Sequence, residues 1–332
     1  MDAIQAAKET VRRFHAALDN AAPDSVATVM DNAVTDEFLW RGVHPFGEIK
    51  DAQAVAEVFW SPLKSCMARM QRRDDIFFAG RNEIDNWETI WVVAMGHLMG
   101  LFDAPWLDIR PTGRIAMLRY CTFHRIDSGQ IAETVMHVDI PHLMAQAGQS
   151  PFPPQTGVHL IQPGPMTHDG LLFEPKPQEE ATATLNAINA MVRTLNDWKS
   201  GMPLEEELAL DWHDDMIWWG PEGIGSTYTI ERYAKQHSAP FRAGFSNRAW
   251  TGHIARLAEG HYGGFFGWPN FTAEPTGSFM GMPATGRAGD FRVIDIYRRS
   301  GDKLAENWIF IDLLHFWKQQ GLDVLGRHRD MR

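Results

Sequence analysis

Cysteine is nearly missing from this chain: Cys66 and Cys121 are the only two among 332 residues, at unrelated places. A disulfide framework or a cysteine metal site is therefore not expected. Long apolar runs are missing as well. No stretch approaches the roughly 20 residues that span a bilayer, and residues 1–18 read as an amphipathic stretch rather than a signal sequence. Basic runs are the third absence. With a formal net charge of −11, a nucleic-acid partner is not expected, because binding that backbone needs basic patches. His213-Asp214-Asp215 reads as a loop cluster without further groups at ligand spacing, so no metal is expected. The Gly220–Gly225 stretch lacks the lysine of a phosphate loop and reads as a turn into a helix. These absences leave a soluble, cytoplasmic protein with neither membrane nor nucleic acid as partner.

What the chain does have is a copy of itself. Pro111–Gly148 lies over Ala284–Gly321 at a constant offset of 173, with eleven identities in 38 positions. Thr112-Gly113-Arg114 faces Thr285-Gly286-Arg287, Arg119 and Arg125 face Arg292 and Arg298, and Asp139 and His142 face Asp312 and His315. At offset 178, Trp40, Gly42, Gly47 and Pro62 fall on Trp218, Gly220, Gly225 and Pro240. A period this long means two copies of a domain, not a solenoid. The length fits two ordinary domains. Thirteen Trp and nineteen Phe suit a large apolar pocket or a buried interface.

The pattern predicts the same α+β order twice. In the first copy Ile4, Ala7, Val11, Phe14 and Leu18 recur at helical spacing, with a short helix over Val26–Met30 and a strand over Phe38–Trp40. A helix capped by Asp51 runs over Asp51–Phe59. Four strands are expected around Asp75–Ala79, Thr89–Leu101, Arg114–Ile126 and Ile131–Val138, the last two joined at Asp127-Ser128-Gly129. Asp139 then caps a helix that stops at Gly148. The second copy runs from a helix over Thr182–Trp198 to Asp312–Gln320. The expected division is residues 1–148, a Pro-rich linker over 149–178, and residues 179–332.

The run Phe279-Met280-Gly281-Met282-Pro283-Ala284-Thr285-Gly286-Arg287, followed by Arg298, Lys303-Leu304-Ala305-Glu306-Asn307-Trp308, Asp312, Gln319 and Gly321, closely resembles the SnoaL-like polyketide cyclase family. That family belongs to the ketosteroid-isomerase-like, nuclear-transport-factor-2-like superfamily. The resemblance implies two cone-shaped domains, each a curved antiparallel sheet closed by three or four helices around a small-molecule pocket. It further implies that they pack as an intrachain pseudo-dimer, with further oligomerisation left open. Such a fold serves enzymes and binders alike.

The family uses an aspartate on the last strand as general acid/base, without metal or cofactor. By the resemblance that position falls on Ile309, and on Met136 in the first copy, neither able to move a proton. Its assisting groups fall on Val293 and Asp295, and on Tyr120 and Thr122. The asparagine of its first strand falls on Trp218 and Trp40. Asp295 stands among Phe291, Val293 and Tyr297 on the face that the resemblance turns inward, where desolvation raises a carboxyl pKa toward neutrality. His97, in Gly96-His97-Leu98-Met99-Gly100, resembles the family's His-bearing strand. Asp295 and His97 are therefore the candidate catalytic residues. Trp40, His44, Tyr120, Thr122, Met136, Trp218, Glu222, Tyr233, Val293, Tyr297 and Ile309 are the candidate ligand-binding ones. The shared Asp139 and Asp312 read as helix caps, and Arg119/Arg292 with Glu133/Glu306 as cross-strand ion pairs. Two functions follow as expectations. One is a cofactor-free isomerase, cyclase, dehydratase or hydrolase acting on a small hydrophobic carbonyl compound. The other is a non-catalytic binder of such a molecule.

Overall fold

A computed structural model describes residues 2–196 and 201–330. The chain separates by contacts into two units, residues 2–151 with 166–175 and 323–330, and residues 152–165 with 176–196 and 201–322. No helix among the described residues is long and apolar enough to cross a membrane.

The first unit opens with α1 (Ala3–Asn20), whose Ala7, Val11, Phe14 and Leu18 are buried along one stripe, as the 3.6-residue period dictates. α2 (Val26–Ala33) and β1 (Val34–Gly42) follow, then the short β2 (Gly47–Ile49). The helix α3 covers residues 52–66. Asp51 caps it, accepting from Gln53 N and Ala54 N, and Ala56–Trp60 form a π-helical turn within it. β3 (Met67–Arg81), β4 (Ile90–Phe102), β5 (Ile115–Asp127) and β6 (Gln130–Val138) complete the sheet, and α4 (Ile140–Gln146) ends the repeat. The strand order is β2-β1-β6-β5-β4-β3, antiparallel except for the parallel β1–β6 pair.

The second unit has the same plan. α5 (Gln178–Asn196) covers the described part of the helix expected over Thr182–Trp198, and Trp198 lies outside the described residues. α6 (Leu204–Leu208), β7 (Trp212–Trp219) and β8 (Thr227–Tyr228) lead to α7, residues 230–244, with its π-turn at Ala234–Ser238. β9 (Phe245–Trp250), β10 (Ala255–Glu259), β11 (Tyr262–Pro275), β12 (Gly289–Ser300) and β13 (Lys303–Ile311) form the sheet with β7 and β8. β13 and β7 are its parallel pair. α8 (Leu313–Gln319) closes the repeat, and α9 (Val324–Asp330) groups with the first unit. His213-Asp214-Asp215 lies within β7 rather than in a loop, with His213 Nε2 2.7 Å from Ser300 O.

The expected caps form. Asp139 accepts from His142 N at 3.0 Å and Asp312 from His315 N at 3.2 Å. Gly148 and Gly321 take φ of 68° and 87° after the two helices, a conformation glycine enters without a Cβ clash. The ion pairs differ from expectation. Glu306 pairs with Arg298, and Glu133 with Arg41 and, at 3.7 Å, Arg125. Arg292 instead reaches Asp312 at 3.9 Å, and Arg119 lies in the field of Asp139. The register explains the exchange. Glu133 stands opposite Arg125 and Glu306 opposite Arg298, whereas Arg119 and Arg292 stand beside the helix caps, accepting from Asp139 N and Asp312 N.

The Pro-rich stretch is laid along folded surface in pieces. Residues 157–158 bond to 224–226, and Trp308 Nε1 donates to Pro163 O at 3.1 Å. Further on, Leu172 N donates to Phe77 O.

Candidate active site

Two-residue periodicity decides what faces the interior of the second unit. On β12, Phe291, Val293, Asp295 and Tyr297 share one face. On β13, the residues opposite the last three are Ile311, Ile309 and Asn307. Together with Trp218 on β7, Tyr233 and His237 on α7, and Phe265 on β11, these line a cavity of about 130 Å³, measured as the space open to the centre of a water molecule. Its walls are mostly apolar, with Trp, Tyr and Phe rings the largest group.

Asp295 is 6% exposed. Asn307 Nδ2 donates to its Oδ1 at 3.0 Å, and Tyr297 provides a second side-chain hydrogen bond. Burial dominates over these two donors and lifts the carboxyl to about 7. An acid at this value exchanges a proton near neutrality with little penalty in either direction. The same burial, with Asp295 adding negative charge nearby, raises the Tyr233 and Tyr297 hydroxyls above their ordinary values, so both stay protonated donors.

Two histidines share this cavity. His237 stacks on Trp218, ring centroids 3.9 Å apart at 18°, and burial lowers it to about 3. It sits in the π-turn of α7, where the first unit has Phe59 against Trp40; such turns often mark functional positions. His253 stacks on Phe265 at 3.8 Å and 14°, and burial, then Arg256, lowers it to about 2. Both rings are neutral.

The corresponding place in the first unit is nearly closed. Trp40, Thr122 and Met136 line a space of about 10 Å³, about one water molecule. It is filled by a buried polar assembly. Arg72 grips Asp19 through Nη2 and Nε at 3.0 and 3.1 Å, and lies over the Tyr120 ring. Tyr120 Oη bonds Asp74, whose carboxyl burial raises. His15 and His124 meet Nε2 to Nε2 at 3.2 Å, and His124 Nδ1 lies 2.9 Å from Thr134 Oγ1. Burial, then Arg72, holds His124 near 3.

Of the residues singled out from sequence, the structure gathers Asp295, Trp218, Tyr233, Val293, Tyr297 and Ile309 in the large cavity, and Trp40, Thr122 and Met136 in the small one. Tyr120 is committed to Asp74. His97 is elsewhere. In the β4–β5 ladder it stands opposite Arg119, while Thr122 and His124 of the small cavity stand opposite Ala94 and Val92. His97 therefore projects from the other face, its Nδ1 3.5 Å from Asp75. His44 lies in the β1–β2 turn. Glu222 is buried against His159 Nδ1 at 2.6 Å, outside the residues lining the cavity.

Asn307, His237 and His253 were missed as site residues. Asn307 was legible as a neighbour of Ile309 on the inward face. His253 precedes β10 in a stretch with no internal counterpart to compare.

Residues 266–320 match the SnoaL-like polyketide cyclase family model. Among solved structures, a protein from Jannaschia sp. CCS1 described as a SnoaL-like polyketide cyclase is 22% identical over 46% of this chain and 97% of its own, with a TM-score of 0.36. TsrD from Streptomyces laurentii is 20% identical over 42% and 96%, TM-score 0.33. An NTF2-like protein from Burkholderia thailandensis is 20% identical over 43% and 97%, TM-score 0.32. No curated protein matches the chain. The second unit carries a SnoaL-like segment, in a chain of two α+β units.

Proposed function

With that SnoaL-like segment as premise, we propose that the second unit is a cofactor-independent acid/base enzyme for a small, largely apolar carbonyl compound. The segment supports a cyclase-type or small-molecule-binding function; the step from binding to catalysis rests on Asp295. A carboxyl at about 7, in an aromatic cavity and held by two donors, has the protonation equilibrium that general acid/base chemistry needs.

In this reading the Asp295 carboxylate removes a proton from the carbon next to the substrate carbonyl, leaving an enolate. The carbanion then either takes the proton back at another carbon, which is isomerisation, or adds to a second carbonyl. In the second case Asp295 returns its proton to the resulting alkoxide, which is aldol ring closure. Asn307 and Tyr297 keep the carboxylate oriented, and the aromatic walls exclude water.

Exchange of deuterium into 2-tetralone next to its carbonyl, followed by NMR, reads the first step without knowledge of the natural substrate. The native protein accelerates exchange, and Asp295→Asn lowers the enzymatic rate at least about a hundredfold, the lower range for a general base. An Asp295→Asn protein that exchanges as fast as the native one removes Asp295 from the chemistry. If the native protein binds the ketone without accelerating exchange, the cavity is a binding site only.

A further inference from the structure

His253 lies in the same cavity as Asp295, its ring stacked on Phe265. Phe265 stands directly opposite Asp295 in the β11–β12 ladder. The imidazole is held from behind by Arg256, whose Nη2 and Nε lie 2.8 and 3.2 Å from His253 Nδ1. Arg256 is itself tied through Nη1 to Asn189 Oδ1 on α5.

That contact fixes the tautomer. A guanidinium stays protonated and can only donate, so Nδ1 must accept and the ring proton resides on Nε2. His253 Nε2 is buried and has no hydrogen-bond partner among the described residues, in a side chain 8% exposed. A buried N–H left without a partner is uncommon in a native fold and asks for an explanation. Burial and the Arg256 charge also keep the ring from taking a second proton. The result is a neutral imidazole locked as a donor.

We propose that His253 Nε2–H donates to the carbonyl oxygen of the substrate and stabilises the enolate oxygen that forms when Asp295 removes the neighbouring proton. The ligand class is then an aromatic or otherwise planar ketone, or its enol, with its oxygen toward His253. No proton leaves His253. The hydrogen bond strengthens as negative charge grows on that oxygen, which is how a preorganised donor lowers a barrier. Arg256 is a positioning residue, since it acts only through the tautomer it imposes.

The catalytic half of this proposal rests on Asp295 as base; the binding half does not. Two probes separate a hydrogen bond from packing: 2-naphthol, which carries an enol-like hydroxyl, and naphthalene, which does not. In titrations of native protein and His253→Phe, which keeps a ring on Phe265, the variant binds 2-naphthol roughly tenfold more weakly and naphthalene within about twofold, as loss of one hydrogen bond requires. Equal weakening of both probes makes His253 structural, and unchanged 2-naphthol binding overturns the proposal. Binding of neither probe to the native protein also overturns it.

Nitrogen NMR of the unliganded protein adds a reading independent of any ligand. The His253 ring shows a single Nε2-protonated form, which becomes a tautomer mixture in Arg256→Met. An Nδ1-protonated ring in the native protein overturns the assignment. Exchange into 2-tetralone keeps the two readings apart. Loss in Asp295→Asn but not in His253→Phe defeats the His253 role and leaves Asp295 standing. Selective loss of 2-naphthol binding in His253→Phe, with full exchange in Asp295→Asn, does the reverse.

Discussion

Asp295 stands directly across the β12–β13 ladder from Ile309, and both side chains line the cavity of the second unit. Ile309 occupies the position where the SnoaL-like resemblance puts the family's acid/base aspartate. A carboxylate one strand over enters the same space from the neighbouring backbone, so loss of the usual aspartate does not leave the cavity without one.

The raised carboxyl of Asp295 has a consequence for stability. Its folded value, about 7, lies above the ordinary 3.8, so between these the folded protein holds a proton that the unfolded chain has released. Stability contributed by this group therefore falls as pH rises from about 4 to about 7 and is level above that. Asp295→Asn should melt higher than the native protein at pH 8, with the difference shrinking toward pH 4. Thermal unfolding at a series of pH values checks both the sign and the window.

Asn307 and Tyr297 oppose the effect of burial by bonding the charged form of Asp295. Removing either donor moves the carboxyl further up. In Tyr297→Phe and Asn307→Leu, the midpoint of the Asp295 carboxyl resonance, followed by carbon NMR, shifts to higher pH than in the native protein. A downward shift in either would mean that the donor does not act on Asp295.

Glycine two residues after each repeated tryptophan has a reason that sequence comparison could locate but not explain. A Cβ on Gly42 would come within 2.1 Å of the Trp40 indole, and one on Gly220 within 2.0 Å of the Trp218 indole. Trp40 and Trp218 are fully buried, so neither ring can step aside freely. Each Gly→Ala substitution should destabilise by about 1–3 kcal/mol through overpacking. Because Trp218 lines the large cavity, Gly220→Ala should also weaken naphthalene binding, while Gly42→Ala leaves it unchanged. Chemical denaturation and ligand titration read the two effects separately.

Asp139 and Asp312, shared by the two halves, cap α4 and α8. Replacing Asp312 by Ala removes a cap worth about 1 kcal/mol and takes away the carboxylate that lies 3.9 Å from the half-buried Arg292. Stability should drop in denaturant titrations while exchange into 2-tetralone is retained under conditions where the protein is folded. Loss of exchange in a fully folded Asp312→Ala protein would make it part of the chemistry.

The elements were legible because period-2 and period-3.6 patterns were strong and came twice. Asp51, Asp139 and Asp312 announced helix starts, and Asp127-Ser128-Gly129 the hairpin. The cavity face of β12 and β13 followed from alternation once Asp295 and Ile309 were set inward, and the second unit obeys it. His97 went wrong by the same rule. A neighbour's resemblance set its facing, whereas a one-residue change of register turns a strand side chain to the other face, and its ladder partner is Arg119. The parallel β1–β6 and β7–β13 pairs, the Arg41–Glu133 contact and the closed first cavity depend on which strands meet across more than 80 residues of chain. No local pattern encodes that. His253 was beyond reach for another reason: its role comes from Arg256 behind it and Phe265 beneath it, contacts made only in the folded sheet.

If Asp295 moves the proton, the pH dependence of deuterium exchange into 2-tetralone follows the ionisation of its carboxyl. In the native protein the rate rises with pH through a midpoint of about 7 and levels above it. In Asp295→Asn that rise is absent and the rate lies near the uncatalysed background. An Asp295→Asn protein with the native rate and the same midpoint would mean that another group moves the proton.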